Sequence, residues 1–152
     1  MPDLVVISGG QTGVDQVGLK VAKDLGYRTG GTAPKGWRTD AGSAPWLKDY
    51  GLKEDPSSGY HNRTIQNIMD SDMTVWFGTT DSPGAILTLR RATIEQQRRT
   101  YYLLINPTAD DLMVYLGSFF VVRVLNVAGN RLRTNPQAAQ TAAVVLREAL
   151  TV

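Results

Sequence analysis

The chain has no cysteine and one histidine, His61, among its 152 residues. The missing cysteines exclude disulfides, thiolate metal sites and cysteine nucleophiles, and the scarcity of histidine leaves carboxylates to build any metal site. Hydrophobic runs stay far short of the roughly 20 residues that span a membrane, and the N-terminus lacks the basic and apolar regions of a signal peptide. We therefore expect a cytoplasmic protein with no membrane contact.

The chain also lacks an excess of charge of either sign. Its 16 basic and 14 acidic side chains leave a net charge of +2, which is too small to indicate a nucleic-acid binder. Arg91, Glu95 and Arg99 follow one another at four-residue spacing, which is typical of a salt-bridged helix face. We therefore expect no nucleic-acid partner. The length is typical of one domain, which we place over residues 1–152.

Short β-branched segments alternate with longer segments of helical period, which is the pattern of βα units around a parallel sheet. The predicted strands cover residues 4–8, 27–29, 73–77, 101–105 and 119–126. The predicted helices cover residues 13–25, 60–71, 82–99, 109–116 and 136–150. Between them, residues 27–60 are mostly an irregular excursion. The pattern predicts an α/β, Rossmann-like three-layer sandwich with a mostly parallel sheet.

The first predicted loop between a strand and a helix reads Gly9-Gly10-Gln11-Thr12-Gly13-Val14-Asp15. Glycines permit positive φ angles and close approach of the backbone, so the loop amides can face an anion at the start of the first helix. This arrangement predicts a phosphate site. A second interpretation is that Thr12 and Asp15 form a capping box and the glycines only shape the turn. The two interpretations are compatible.

Two other loops carry candidate ligand contacts. Lys35 and Arg38 lie on a glycine-flanked loop that can bring two cations to an anionic ligand, although a solvated loop would have the same composition. Ser82 and Pro83 are suited to the N-cap and first position of a helix without any further role. Gly84 is unfavourable in a first helical turn unless something approaches it closely.

The helix predicted after residue 60 presents a polar face. The residues that share this face by three- and four-residue spacing are Tyr60, Arg63, Thr64 and Asn67. Such a face is either solvated or the wall of a ligand site. His61 lies off this face, and we expect it at the ordinary surface.

Five segments in order, residues 9–15, 31–38, 60–72, 82–88 and 125–129, resemble the molybdenum-cofactor carrier proteins. That family is Rossmann-like and is similar to the lysine-decarboxylase-like, cytokinin-activating phosphoribohydrolases. The resemblance implies a homo-oligomer, dimer or tetramer, that binds the pterin-based, phosphorylated molybdenum cofactor. The ligand contacts it implies are Gly9, Gly10, Gln11, Thr12, Gly13, Val14, Asp15, Lys35, Arg38, Arg63, Thr64, Ser82, Pro83, Gly84 and Thr88.

The chain departs from the family at three positions. Gln16 stands where an arginine is usual, and Thr32 and Ala33 replace a tryptophan and a cysteine. The related phosphoribohydrolases carry a glutamate four residues after the counterpart of Gly84, where this chain has Thr88, which cannot ionise.

We therefore expect a binding or carrier protein for a phosphorylated, nucleotide-like molecule, with the molybdenum cofactor as the carried ligand. We expect no catalytic residue and no metal ligand in the chain itself. The alternatives are a nucleotide or N-glycosidic hydrolase of the phosphoribohydrolase type, and an interaction domain that has lost its ligand.

Overall fold

The computed structural model describes residues 3–57, 60–117 and 121–151, with the backbone alone at residue 60. Its strands are β1 Val5–Ile7, β2 Arg28–Ala33, β3 Arg38–Thr39, β4 Gly42–Ser43, β5 Leu52–Glu54, β6 Met73–Phe77, β7 Tyr102–Ile105 and β8 Val124–Gly129. Its α-helices are α1 Val14–Asp24, α2 Tyr60–Met69, α3 Pro83–Arg98, α4 Ala109–Leu116 and α5 Pro136–Leu150. Short 3-10 helices cover Lys35–Trp37 and Pro45–Tyr50.

The main sheet has the strand order β5-β2-β1-β8-β6-β7, and each pair of neighbours is parallel. The chain runs outward in one direction from β1 to β2 and β5, and in the other direction from β6 to β7. Strand β8 then returns between β1 and β6. This reversal of direction opens a crevice at the carboxyl ends of the central strands, which is where α/β proteins generally bind ligands.

Helices cover both faces of this sheet. On one face α1 packs on α5 and β8, and α4 packs on α5; on the other face α2 packs on α3 and β2, and α3 on β7. The predicted Rossmann-like three-layer α/β fold is therefore confirmed. Strands β3 and β4 form a separate antiparallel pair.

The core consists of apolar clusters on the two faces of the sheet. The largest joins the central strands to α1, α4 and α5, with Phe77, Leu112 and Leu146 fully buried. A second cluster, which includes Leu19 and Leu47, lies beneath the segment that contains β3 and β4. The largest cluster includes Phe77 and Val127, which lie near the carboxyl ends of β6 and β8.

The sequence predicted the long elements more accurately than the short ones. Strand β6 and helices α4 and α5 have the predicted bounds. The predicted excursion at residues 27–60 instead holds all of β2 to β5 and both 3-10 helices. The predicted strand 119–126 is observed from Val124 to Gly129, and positions 119 and 120 lie outside the described residues. Strands of two or three residues carry too little alternation to be recognised.

Candidate functional site

A cavity of about 470 Å³ lies at the crevice, at the carboxyl ends of β1, β8 and β6. Its walls come from the first loop, from α2, from the start of α3, and from residues 126–131 at the end of β8. This volume falls within the range of roughly 300–1,000 Å³ that is typical of small-molecule sites. The crevice predicted by the topology is therefore an open, ligand-sized space.

The structure brings many of the predicted ligand contacts to this cavity. Those that line it are Gly9, Gln11, Asp15, Arg63, Thr64, Ser82, Pro83, Gly84 and Thr88. Those that are not among its lining residues are Gly10, Thr12, Gly13, Val14, Lys35 and Arg38. The site is thus assembled from one face of the first loop, from α2 and from the start of α3.

Four amides of the first loop donate to protein acceptors. Gln11 N donates to Asp15 Oδ2 at 3.2 Å, and Thr12 N donates to the Gln11 side-chain oxygen at 3.0 Å. Val14 N donates to Asn130 O at 3.5 Å and Gly10 N to the Ser8 hydroxyl at 3.3 Å. These four donors are used within the protein, and the phosphate site expected at this loop stays a prediction.

The loop glycines have packing roles that account for them without an anion. A Cβ on Gly10, whose φ is +77°, would lie 2.6 Å from Leu47 Cδ1 in the second apolar cluster. A Cβ on Gly13, whose φ is +96°, would lie 2.5 Å from the backbone nitrogen of Leu132. Gly13 is also the N-cap residue of α1, and no side chain caps this helix start. The alternative interpretation, a Thr12–Asp15 capping box, is therefore not observed.

Gly9 faces the cavity and makes room for an ion pair. A Cβ there would coincide with the Arg63 guanidinium, since it would lie 1.6 Å from Nη1. Arg63 Nη1 donates to Asp15 Oδ2 at 3.3 Å, and the two side chains are only 11% and 9% exposed. Burial raises the pKa of the Asp15 carboxyl, and the Arg63 guanidinium opposes that shift. The wall of the cavity thus contains a buried ion pair.

The start of α3 forms the opposite wall. Ser82 is its N-cap and accepts a hydrogen bond from Ala85 N at 3.2 Å, with Pro83 in the first helical position. A Cβ on Gly84 would meet nothing within 4 Å, because Gly84 borders open cavity space. The positive end of a 16-residue helix therefore borders the cavity at a residue that has no side chain.

Cations also come from the segment after β8, which the sequence analysis did not connect with the site. Arg131 and Arg133 line the cavity, and Asp40 Oδ1 accepts hydrogen bonds from Arg131 Nη1 at 2.9 Å and lies 3.7 Å from Arg133 Nη2. Asp40 N in turn donates to the Gln11 side-chain oxygen at 2.8 Å. The segment that follows β2 thus reaches the site through Asp40 rather than through Lys35 or Arg38, which are exposed.

The exposed turn around Lys35 and Arg38 is held by two hydrogen bonds. Arg38 Nε donates to Lys35 O at 3.2 Å, and Gly36 N donates to the Glu54 carboxylate. The bond to Glu54 joins the turn to β5. Sequence reasoning could not see this arrangement, because it depends on the unrecognised strand β5.

Helix α2 contributes as predicted, with one correction. Arg63, Thr64 and Asn67 line the cavity, and the side chain of residue 60 lies outside the described residues. Asn67 also closes the wall by pairing with both backbone groups of Thr32, at 2.8 and 3.0 Å. His61, expected at the ordinary surface, lines the cavity as well. His61 is exposed, so it lies at the surface as well as among the lining residues.

Sequence reasoning missed a further group of lining residues. These are Trp76, Leu87, Asn126, Val127, Ala128, Gly129, Asn130, Arg131, Arg133 and Thr134. Most of them follow from the single fact that β8 lies between β1 and β6. The motif at residues 125–129 was the available signal, but its position in the sheet could not be deduced from the chain.

The comparisons with known proteins agree with this Rossmann-like architecture. The model of the circularly permutated YpsA SLOG family matches residues 6–150. A crystal structure from Syntrophus aciditrophicus, of a protein described as a candidate molybdenum carrier, is 32% identical and has a TM-score of 0.80. The match covers 98% of this chain and 96% of that one. No curated protein matches the chain.

A second solved structure is the E-1-hydroxy-2-methyl-but-2-enyl-4-diphosphate reductase of Plasmodium falciparum. It is 15% identical with a TM-score of 0.36, over 95% of this chain and 52% of that one, and nothing is inferred from so weak a likeness.

The fold and the crevice define a Rossmann-like protein with a ligand-sized cavity at the carboxyl ends of its strands. The chain belongs to the circularly permutated YpsA SLOG family, and the predicted resemblance to the molybdenum-carrier family is confirmed. None of the helices in the described ranges has the length and apolarity needed to cross a membrane.

Proposed function

We propose that this protein binds and carries a phosphorylated, nucleotide-like small molecule, the molybdenum cofactor or a related ligand, in the cavity at the carboxyl ends of β1, β8 and β6. The observation that supports this most is the meeting of the α3 N-terminus with three arginine side chains around one space. Arg63, Arg131 and Arg133 all line it. Two carboxylates, Asp15 and Asp40, pair with these arginines and leave the cationic groups in excess.

The phosphate is proposed to lie at the start of α3. There the helix dipole and the amide of Gly84 favour an anion, and Gly84 lets the anion approach without a Cβ in the way. Guanidinium groups bind phosphate through charge-assisted hydrogen bonds, which are roughly twice as strong as neutral ones. Ser82, Gly84 and Thr88 are thus proposed ligand contacts together with Arg63 and Thr64.

A carrier function is preferred to hydrolysis because of the side chain at position 88. Thr88 lines the cavity and is buried, but it cannot serve as the acid, base or charged partner that glycosidic cleavage requires. Asp15 is the carboxylate that lines the cavity, and its Oδ2 already accepts bonds from Arg63 and Gln11. The hydrolase alternative would have to rely on this engaged carboxyl.

The residues present fit a molybdenum-containing cargo only if the cargo brings its own metal ligands. The described residues contain no group of three or more histidine, cysteine, aspartate or glutamate side chains suited to hold a metal ion. The cavity instead offers donors for phosphate and an apolar wall that includes Trp76 and Leu87. The protein would therefore hold the organic, phosphorylated part of such a cofactor.

Native mass spectrometry of the freshly purified protein tests the proposal. We expect a retained small molecule whose mass includes a phosphate group, together with the mass of a dimer or tetramer. The Arg63→Glu variant should lose the retained molecule. A ligand-free wild-type protein that also fails to bind added phosphorylated molecules would contradict the proposal.

A further inference from the structure

The carboxyl of Asp15 is a negative group inside the cavity that is proposed to receive an anion. Asp15 lines the cavity, and its side chain is 9% exposed. Arg63 lines the same cavity and places Nη1 3.3 Å from Asp15 Oδ2. An anionic ligand would therefore compete with Asp15 for the same guanidinium group, in a place that is largely shielded from water.

The two oxygens of this carboxyl have different surroundings. Oδ2 accepts hydrogen bonds from Gln11 N at 3.2 Å and from Arg63 Nη1 at 3.3 Å. Oδ1 accepts no hydrogen bond from the residues that the structure describes. A proton can therefore be added to Oδ1 without displacing a protein donor.

The charges that act on Asp15 come from two other parts of the chain. Arg63 on α2 and Arg131 after β8 both oppose the rise in the pKa of Asp15 that burial causes, and Arg131 is itself paired with Asp40 at 2.9 Å. The elements packed on α1, which are β1, β2, β8 and α5, add no charged side chain to the described lining. The remaining titratable side chains of that lining are His61 and Arg133. Among the described lining residues, Asp15 is therefore the one group that can lose a negative charge.

A second negative charge in this cavity favours the neutral form of Asp15. Burial already raises the pKa of the carboxyl above its usual 3.8, because the charged form loses its hydration there. A bound phosphate repels the carboxylate and attracts the Arg63 guanidinium, so it weakens the interaction that keeps Asp15 ionised. Each unit by which the pKa rises on binding makes the affinity up to tenfold dependent on pH.

We propose that ligand binding in this cavity is coupled to the uptake of a proton from solvent by Asp15. In the empty site the ionised Asp15 holds Arg63. In the loaded site Arg63 bonds to the phosphate, and Asp15 is neutral with the proton on Oδ1. Release of the ligand returns the proton to solvent, so a rise in pH favours unloading. This inference rests on the proposed phosphate-binding function and adds the regulation of that site by pH.

Isothermal titration with ribose 5-phosphate at pH 7, repeated in buffers of different ionisation enthalpy, counts the protons that binding takes up. Asp15→Asn keeps the size of the side chain and cannot titrate. His61→Gln is the matched control, because histidine is the side chain that most often exchanges protons near neutral pH. The second pKa of a phosphate monoester is about 6, and a cationic cavity favours the dianion, so the probe itself releases protons on binding and takes up none.

We expect the wild type and His61→Gln to take up about half a proton or more per ligand, and Asp15→Asn to take up close to none. At pH 8, Asp15→Asn should bind ribose 5-phosphate about tenfold more tightly than the wild type, because it has no carboxylate to protonate. The affinity of the wild type should fall from pH 7 to pH 9, although the probe becomes more fully dianionic over that range. This last comparison uses the wild type alone, so it tests the coupling even if Asp15→Asn does not fold.

Three results would overturn the inference and leave the phosphate site in place. They are equal proton uptake by the wild type and Asp15→Asn, a wild-type affinity that does not fall with pH, and weaker binding by a folded Asp15→Asn at pH 8. The last result would mean that Asp15 serves only to position Arg63. A wild type that does not bind ribose 5-phosphate at any of these pH values would instead refute the phosphate site itself, and the coupling with it.

Discussion

Gly84→Ala should make the free protein more stable while weakening ligand binding. Gly84 lies in the first turn of α3, its φ is not positive, and an added Cβ would meet no atom within 4 Å. Replacing a helical glycine with alanine contributes about 0.5–1 kcal/mol of stability when nothing clashes. The new Cβ would occupy open space beside the amide that is proposed to bind a phosphate oxygen, and it would crowd the other atoms of the phosphate group. We therefore expect binding to fall by about tenfold, or about 1.4 kcal/mol.

Urea denaturation and titration with ribose 5-phosphate measure the two effects separately. Gly26→Ala is the matched control, because a Cβ there also meets nothing within 4 Å but φ is +89°. That variant should lose about 1 kcal/mol of stability from the left-handed backbone and keep its affinity. The reasoning would be refuted if Gly84→Ala bound ribose 5-phosphate as tightly as the wild type.

Further predictions concern the ion pair, the first loop and self-association. Because burial raises the pKa of Asp15 above its usual 3.8, the stability that the neutral carboxyl gives the fold is lost as pH rises through that pKa. Urea denaturation from pH 4 to 8 should therefore show Asp15→Asn becoming more stable relative to the wild type. A stability difference that shrinks as pH rises would contradict this. Gly9→Ala should displace the Arg63 guanidinium from the buried Asp15 and destabilise the fold by about 1–3 kcal/mol, measured in the same way, whereas an unchanged midpoint would place the guanidinium elsewhere. Gly10→Val should destabilise the fold, because the new side chain would clash with Leu47 and because φ at position 10 is positive. Calorimetry showing an unaltered melting temperature would argue against that packing. Sedimentation at micromolar concentration should give a dimer or tetramer, and the monomer mass would count against self-association.

The alternation of strands and helices could be predicted from the sequence because long elements repeat their hydrophobic pattern several times. Helix α5 and strand β6 have the bounds that their periodicity predicts. Strand β2 was predicted too short, because Gly30 and Gly31 interrupt its apolar pattern. Gly31 is required there, since a Cβ would lie 2.1 Å from Ser8 O. This close approach between two strands exists only in the folded chain, so the glycine is the only trace of it in the sequence.

The candidate site was predicted where its residues are local and missed where they depend on strand order. Ser82, Pro83 and Gly84 share one strand-to-helix corner, and the chain itself shows that corner. Arg131 and Asn130 reach the cavity because β8 inserts between β1 and β6, which no local pattern indicates. The bonds that four amides of the first loop make within the protein could not be predicted, because they depend on contacts formed only in the folded chain.

An NMR titration of ¹⁵N-labelled protein with ribose 5-phosphate tests the central claim most directly, since it reports on each backbone amide. We expect the largest saturable shift at the amide of Gly84, with smaller shifts in the segment from Asn130 to Arg133. The amides of Gln11 and Thr12 should change much less, because they are bonded to protein acceptors. No saturable shift at the start of α3, or shifts confined to the first loop, would contradict the proposed phosphate site.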